Sequence, residues 1–83
     1  MTLNLYSVKD VKVGFMKPFT AVNGSVAQRD FSMAVNRPGD DFMAANFGDL
    51  ELWYLGSFDD QTGVVVGDLE YICKGCDVRK VEL

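Results

Sequence analysis

Phe47-Gly48-Asp49-Leu50-Glu51-Leu52-Trp53-Tyr54-Leu55-Gly56-Ser57-Phe58-Asp59-Asp60-Gln61-Thr62-Gly63 decides the fold. From Leu50 the chain alternates with a period of two, so Leu50, Leu52 and Tyr54 share one face while Glu51, Trp53 and Leu55 share the other. Asp59-Asp60-Gln61-Thr62-Gly63 is rich in turn formers and reverses the chain. Val64-Val65-Val66 returns as a second strand. Gly67-Asp68 fits a two-residue hairpin turn with Gly first. Leu69–Cys73 then reads as a third strand, and a short turn over 74–77 leads to a last one, Val78–Leu83. The C-terminal half therefore reads as a β-meander.

Working back toward the N-terminus, Leu3–Val8 is a first strand, and Val11–Val13 extends it past a kink at Lys9-Asp10. The run 15–22 is a second, with Phe15, Phe19 and Ala21 on one face. Pro18 lacks a ladder donor and confines that run to an edge. Asn23-Gly24 then breaks the chain. Ser25 with Gln28 three residues on has the form of a capping box. Ala27, Phe31, Ala34 and Val35 form one helical stripe, and Asn36-Arg37-Pro38-Gly39 ends the helix. The expected helix spans about residues 25–36. Over 40–48 the reading is ambiguous. Asp40 or Asp41 caps one turn at most, and adjacent acids there suit first-turn N–H groups better than paired acid–base chemistry. The expectation is α+β, with one main helix packed on a mostly antiparallel sheet of roughly five or six strands, in a single domain over 1–83.

With 83 residues, such a domain buries only about 60% of the surface its unfolded chain exposes. Its 48% hydrophobic content leaves apolar area to spare, which points to a homo-oligomer. No run approaches the roughly 20 apolar residues of a membrane span, and Met1-Thr2-Leu3-Asn4 has no basic, then apolar, leader pattern. The expected location is the cytoplasm, with no membrane partner.

The net charge of −4 is unevenly placed. Residues 1–39 set Lys9, Lys12, Lys17, Arg29 and Arg37 against Asp10 and Asp30, a net of +3. Residues 40–83 set ten acids against Lys74, Arg79 and Lys80, a net of −7. This asymmetry suits a basic binding face, contact between unlike halves of two copies, or plain solvation.

Histidine is absent, which removes Ser-His and Cys-His nucleophile pairs, and no other catalytic grouping stands out. The chain reads as non-enzymatic. Cys73-Lys74-Gly75-Cys76 supplies two thiols, half of a tetrahedral zinc site. Two copies pooling their cysteines, or help from Asp77, would have to complete it. Reduced thiols beside a turn is the simpler reading, and no metal or cofactor is expected. Asp59-Asp60 lacks the acidic spacing and downstream Glu of a calcium loop.

Lys9, Lys12, Lys17 and Arg29 lie among Tyr6, Phe15 and Phe19. Single-stranded nucleic-acid binders combine cations for phosphates with aromatic platforms for bases. The candidate site is therefore Lys9, Lys12, Lys17 and Arg29 for phosphates, with Tyr6 and Phe15 as stacking rings. The bland alternative puts the aromatics in the core, and overall acidity opposes non-specific affinity.

Several phrases, taken in order, carry a resemblance. They are Leu5-Tyr6-Ser7-Val8-Lys9-Asp10, Val11-Lys12-Val13-Gly14-Phe15-Met16-Lys17-Pro18-Phe19, Val26-Ala27-Gln28-Arg29-Asp30-Phe31 with Ala34-Val35-Asn36, and Leu52-Trp53-Tyr54-Leu55-Gly56-Ser57-Phe58-Asp59-Asp60 through Thr62-Gly63. Over roughly residues 3–66 the chain resembles the small non-structural protein of gokushoviruses, tailless single-stranded DNA phages of the microvirus group. Residues 67–83, including both cysteines, depart from that pattern. The resemblance implies a phage accessory protein that binds single-stranded DNA, or assists genome synthesis and packaging, in the host cytoplasm. It transfers no catalytic residue. The rival reading is a homo-oligomeric module that binds a host or viral protein through its acidic meander.

Overall fold

Strand β4 (Leu50–Asp59) is the spine of the molecule. In a computed structural model, which describes residues 1–38 and 42–80, β4 pairs antiparallel with β1 (Thr2–Asp10) on one side and β5 (Val65–Lys74) on the other. Two short strands, β2 (Gly14–Phe15) and β3 (Phe19–Ala21), pair with successive parts of β1. The result is a five-stranded antiparallel sheet. The expected run 15–22 is thus broken into two pieces, with Pro18 between them. Residues 11–13 form a turn, because Lys12 N–H bonds the Asp10 carboxylate at 2.9 Å and Val13 N–H bonds the Asp10 carbonyl at 3.0 Å.

Helix α1 (Gly24–Val35) packs on one face of the sheet. Its stripe of Ala27, Phe31 and Val35 meets Tyr6, Val8, Leu50, Leu52 and Cys73 to form the core. The helix starts one residue earlier than expected. Asn23, not Ser25, is its cap, and the Asn23 side chain accepts from Val26 N–H at 2.9 Å. Both residues are competent caps; the extended backbone of Asn23 (φ −158°) decides between them. A short helix α2 (Phe42–Ala45) and a 3-10 turn (Phe47–Asp49) lead into β4. The capping expected of Asp40 and Asp41 lies outside the described residues.

Two expectations at the C-terminal end are corrected. Gly67-Asp68 is no hairpin turn, since β5 runs unbroken from Val65 to Lys74 with β4 beside it. The reversal between β4 and β5 is at Asp59–Gly63, where the Asp59 carboxylate accepts from Gln61 N–H at 2.9 Å and Gly63 takes φ 77°. The second correction concerns the last strand, expected over 78–83, of which 81–83 lie outside the described residues. Gly75–Val78 is a helical turn, α3, whose Asp77 carboxylate accepts from Lys74 N–H at 2.9 Å. Asn36 at the end of α1 then ties down residues 78–80. Its side-chain amide donates to the Val78 carbonyl at 2.9 Å, and its oxygen accepts from Lys80 N–H at 2.7 Å. The Arg79 guanidinium donates to the Val35 carbonyl and lies 4.9 Å from the Phe47 ring centre. A helix C-terminus with open carbonyls attracts such donors, which at residues 78–80 outcompetes strand pairing.

A 12-residue helix is about 18 Å long, whereas a 10-residue strand spans about 33 Å. Helix α1 therefore backs only the end of the sheet that holds Tyr6, Val8, Leu50 and Leu52. At the other end Val64, Val65, Val66 and Leu69 are 56–60% exposed. The molecule is correspondingly long, 47 × 24 × 20 Å.

Candidate nucleic-acid interface

The sheet face turned away from α1 carries an aromatic row. Alternation along β4 sends Leu52 to the helix and Trp53 to the opposite face. Ser7 of β1 and Tyr71 of β5 are its ladder partners. Trp53 meets Phe15 edge-on at 5.9 Å and Tyr71 edge-on at 5.5 Å between ring centres. Lys9 pairs with Phe15 across β1 and β2, and its Nζ lies 5.5 Å from the centres of both the Phe15 and Trp53 rings. This pair of contacts is cation–π in kind and holds the ammonium over the row. Phe15 and Tyr71 are 46% and 42% exposed.

Tyr71 reaches this face through a register slip. Cys73 pairs with Leu52, but Tyr71 pairs with Trp53, so Ile72 is an extra residue in β5. Strict alternation would put Tyr71 on the same face as Cys73. One inserted residue reverses the face of everything beyond it.

The next rung holds Lys9, Glu51 and Lys74 in register on β1, β4 and β5. The Glu51 carboxylate accepts from Trp53 Nε1–H at 3.0 Å, which fixes the indole. The Tyr71 hydroxyl is pushed above its ordinary pKa, first by desolvation and then by Asp77, Glu51 and Cys73. It therefore stays protonated as a donor at neutral pH.

The structure separates the six residues proposed from sequence. Lys9 and Phe15 come together on the aromatic row. Lys12 sits on the turn after β1, where its ammonium is 3.4 Å from the Asp49 carboxylate. Lys17 is exposed in the segment joining β2 to β3. Arg29 does not join them. It projects from the exposed side of α1, across the sheet, 3.9 Å from the Asp30 carboxylate. Tyr6 offers no stacking face. At 4% exposure its ring is core, because alternation along β1 groups it with Val8 toward α1. Sequence reasoning omitted Trp53 and Tyr71 from the site. The parity of β4 already put Trp53 opposite Leu52, but no sequence signal announced the slip at Ile72.

The two cysteines have unlike settings. Cys73 is buried in the core, its thiol pKa raised by burial and then by Asp77, while Cys76 is exposed. Among the described residues no group of three or more His, Cys, Asp or Glu could hold a metal ion, and no helix is long and apolar enough to cross a membrane.

No curated protein and no solved structure matches the chain. The family model of the Phage ORF5 protein does match, over residues 3–78, which takes in β1 but for Thr2, β2 to β5, α1 and the Cys-x-x-Cys turn. That span goes past residue 66, where the resemblance read from sequence stopped, and the chain belongs to the Phage ORF5 protein family.

Proposed function

We propose that this phage protein is a non-enzymatic accessory factor that binds single-stranded DNA on the helix-free face of its sheet. It would act in the host cytoplasm during genome synthesis or packaging, as the gokushovirus resemblance implies. The observation that carries the reading is the Phe15–Trp53–Tyr71 row with Lys9 held over it. The exposed Phe15 and Tyr71 rings, flanking a half-buried Trp53, suit unstacked bases, which need a π-face, and each base–ring stack is worth about 1–3 kcal/mol. Lys9 and Lys74, in register on either side of Glu51, supply the cations on this face. Against this stands the net charge of −4. At 0.15 M salt the Debye length is about 8 Å, so distant acids are screened while contacts within the row are not.

The chain's single tryptophan lies in the row, so its own fluorescence reports the event. Titration with a thymidine oligonucleotide is expected to quench Trp53. The log of the affinity should fall with the log of salt by about 0.7 per phosphate contacted. Tyr71→Ala should weaken binding by about 1–3 kcal/mol, and Lys9→Glu should both weaken it and flatten the salt slope. No quenching at low salt, or equal binding by both variants, would refute the reading.

A second reading rests on a different observation. Among the described residues the ten-residue strand β5 is an edge, and its Val65, Val66 and Leu69 are exposed. Long apolar edges invite another strand. We propose that a second copy covers this edge in a closed dimer, the commonest oligomer symmetry. Sedimentation is expected to show a dimer at tens of micromolar protein, lost on Val66→Lys. A lone 9.2 kDa species in the wild type would end the proposal. The two readings are compatible, since the aromatic row lies on a face and the pairing groups on an edge.

A further inference from the structure

On the other face, where α1 begins, the sheet and helix enclose an open hollow of about 530 Å³. Tyr6, Gly24, Ser25, Gln28, Tyr54 and Glu70 line it. Two independent features point to a ligand. The first is the N-terminus of a 12-residue helix. Of its leading N–H groups, Val26 bonds the Asn23 side chain and Ala27 bonds the Asn23 carbonyl. The amides of Gly24 and Ser25 are left as donors, at the positive end of the helix dipole. The second is Tyr6. The residue is only 4% exposed, yet its hydroxyl bonds no described residue and opens on the hollow, 4.0 Å from where a Cβ on Gly24 would stand. Burial, with Tyr54 close by, raises its pKa, so it is a donor at neutral pH.

The far side of the hollow has the opposite character. Tyr6, Tyr54 and Glu70 are ladder neighbours on β1, β4 and β5, which sets the outer two backbones about 10 Å apart. Donors therefore stand at one end and the Glu70 carboxylate accepts at the other. A bare inorganic anion would use the first end and be repelled by the second. We infer that the hollow binds a nucleoside monophosphate. Its phosphate would take the Gly24 and Ser25 amides and the Tyr6 hydroxyl, and its sugar hydroxyl or base N–H would donate to Glu70. The same chemistry is offered by a free nucleotide and by the 5′-phosphorylated end of a DNA strand. The site shares no residue with the helix-free face, so each stands or falls alone.

Calorimetry of the wild-type chain with deoxyadenosine monophosphate, deoxyadenosine and orthophosphate tests this. The monophosphate is expected to bind about tenfold or more tighter than either fragment, in line with loss of a charge-assisted hydrogen bond. Tyr6→Phe should cost about tenfold while thermal stability is kept, since the hydroxyl it removes bonds no described residue. Gly24→Ala, which puts a methyl in the mouth, is the second probe. Glu70→Gln should weaken the nucleotide and leave orthophosphate no weaker. Met33→Ala, on the exposed side of α1, should leave all of these unchanged. An octanucleotide with a 5′-phosphate binding better than its 5′-hydroxyl twin, in a Tyr6-dependent manner, would assign the site to strand ends; binding by the mononucleotide alone would assign it to the free pool. No binding by either, or binding indifferent to both Tyr6→Phe and Gly24→Ala, would overturn the inference.

Discussion

Replacing Phe31 with Ala is expected to cost about 3–5 kcal/mol, the range for truncating a packed aromatic ring. Phe31 is 2% exposed and sits mid-helix between Ala27 and Val35, against Leu50, Leu52 and Cys73. Ala27 is a small neighbour and the sheet backbone is locked by ladders on both sides of β4, so little can move to fill the void. A domain of this size has about 4–12 kcal/mol of stability in all. The variant should therefore be partly unfolded at room temperature or close to it. Urea titration followed by circular dichroism would measure the loss. A midpoint near that of the wild type would mean that α1 does not pack through this face. Because α1 carries Gly24 and Ser25, nucleotide binding by the variant should fall in parallel with its folded fraction.

The parity of residues 50–54 and the stripe of α1 were readable because each is a regular period against a single covering layer. Leu50 and Leu52 go inward and Trp53 outward for no reason beyond alternation. The misreadings arise where a neighbour decides. Gly67-Asp68 is turn-like by composition, yet a partner strand runs alongside it, and ladder bonds to β4 outweigh the local preference. Val78 begins a β-like phrase by composition, but contacts from Asn36, Arg79 and Lys80 gather at the end of α1 instead. Tyr6 and Phe15 look alike as aromatics in a basic stretch. Only the placement of α1 makes one core and the other surface. Tyr71 needs more still, a one-residue slip at Ile72 that leaves no mark in hydrophobic pattern. The candidate site was thus legible in kind, cations with aromatics, and only half legible in membership.

The second large effect expected is from Gly56→Ala. Gly56 has φ 142°, a region strained for any residue with a side chain. A Cβ there would lie 2.0 Å from the Val66 carbonyl oxygen, 3.0 Å from its carbon and 3.1 Å from Asp68 N, all of them backbone. Neither neighbour can yield by turning a side chain. Gly56 is also where the sheet changes register on both sides. β4 gains a residue against β1 between Tyr54 and Gly56, and β5 gains one against β4 over the same stretch. Backbone strain of about 1–3 kcal/mol and overpacking of about 1–3 kcal/mol together give roughly 2–6 kcal/mol. Gly67, its ladder partner, is the internal control. Nothing lies within 4 Å of a Cβ placed there, so Gly67→Ala should change stability by no more than about 1 kcal/mol. If Gly56→Ala folds at all, β5 must back away from β4 at Val66. The shift should be felt three rungs along, where Tyr71 meets Trp53, as a change in tryptophan emission before any denaturant is added, with weaker DNA quenching to match. Equal stability and equal emission in the two glycine variants would show that the close approach of β5 at Val66 is not a constraint on this sheet.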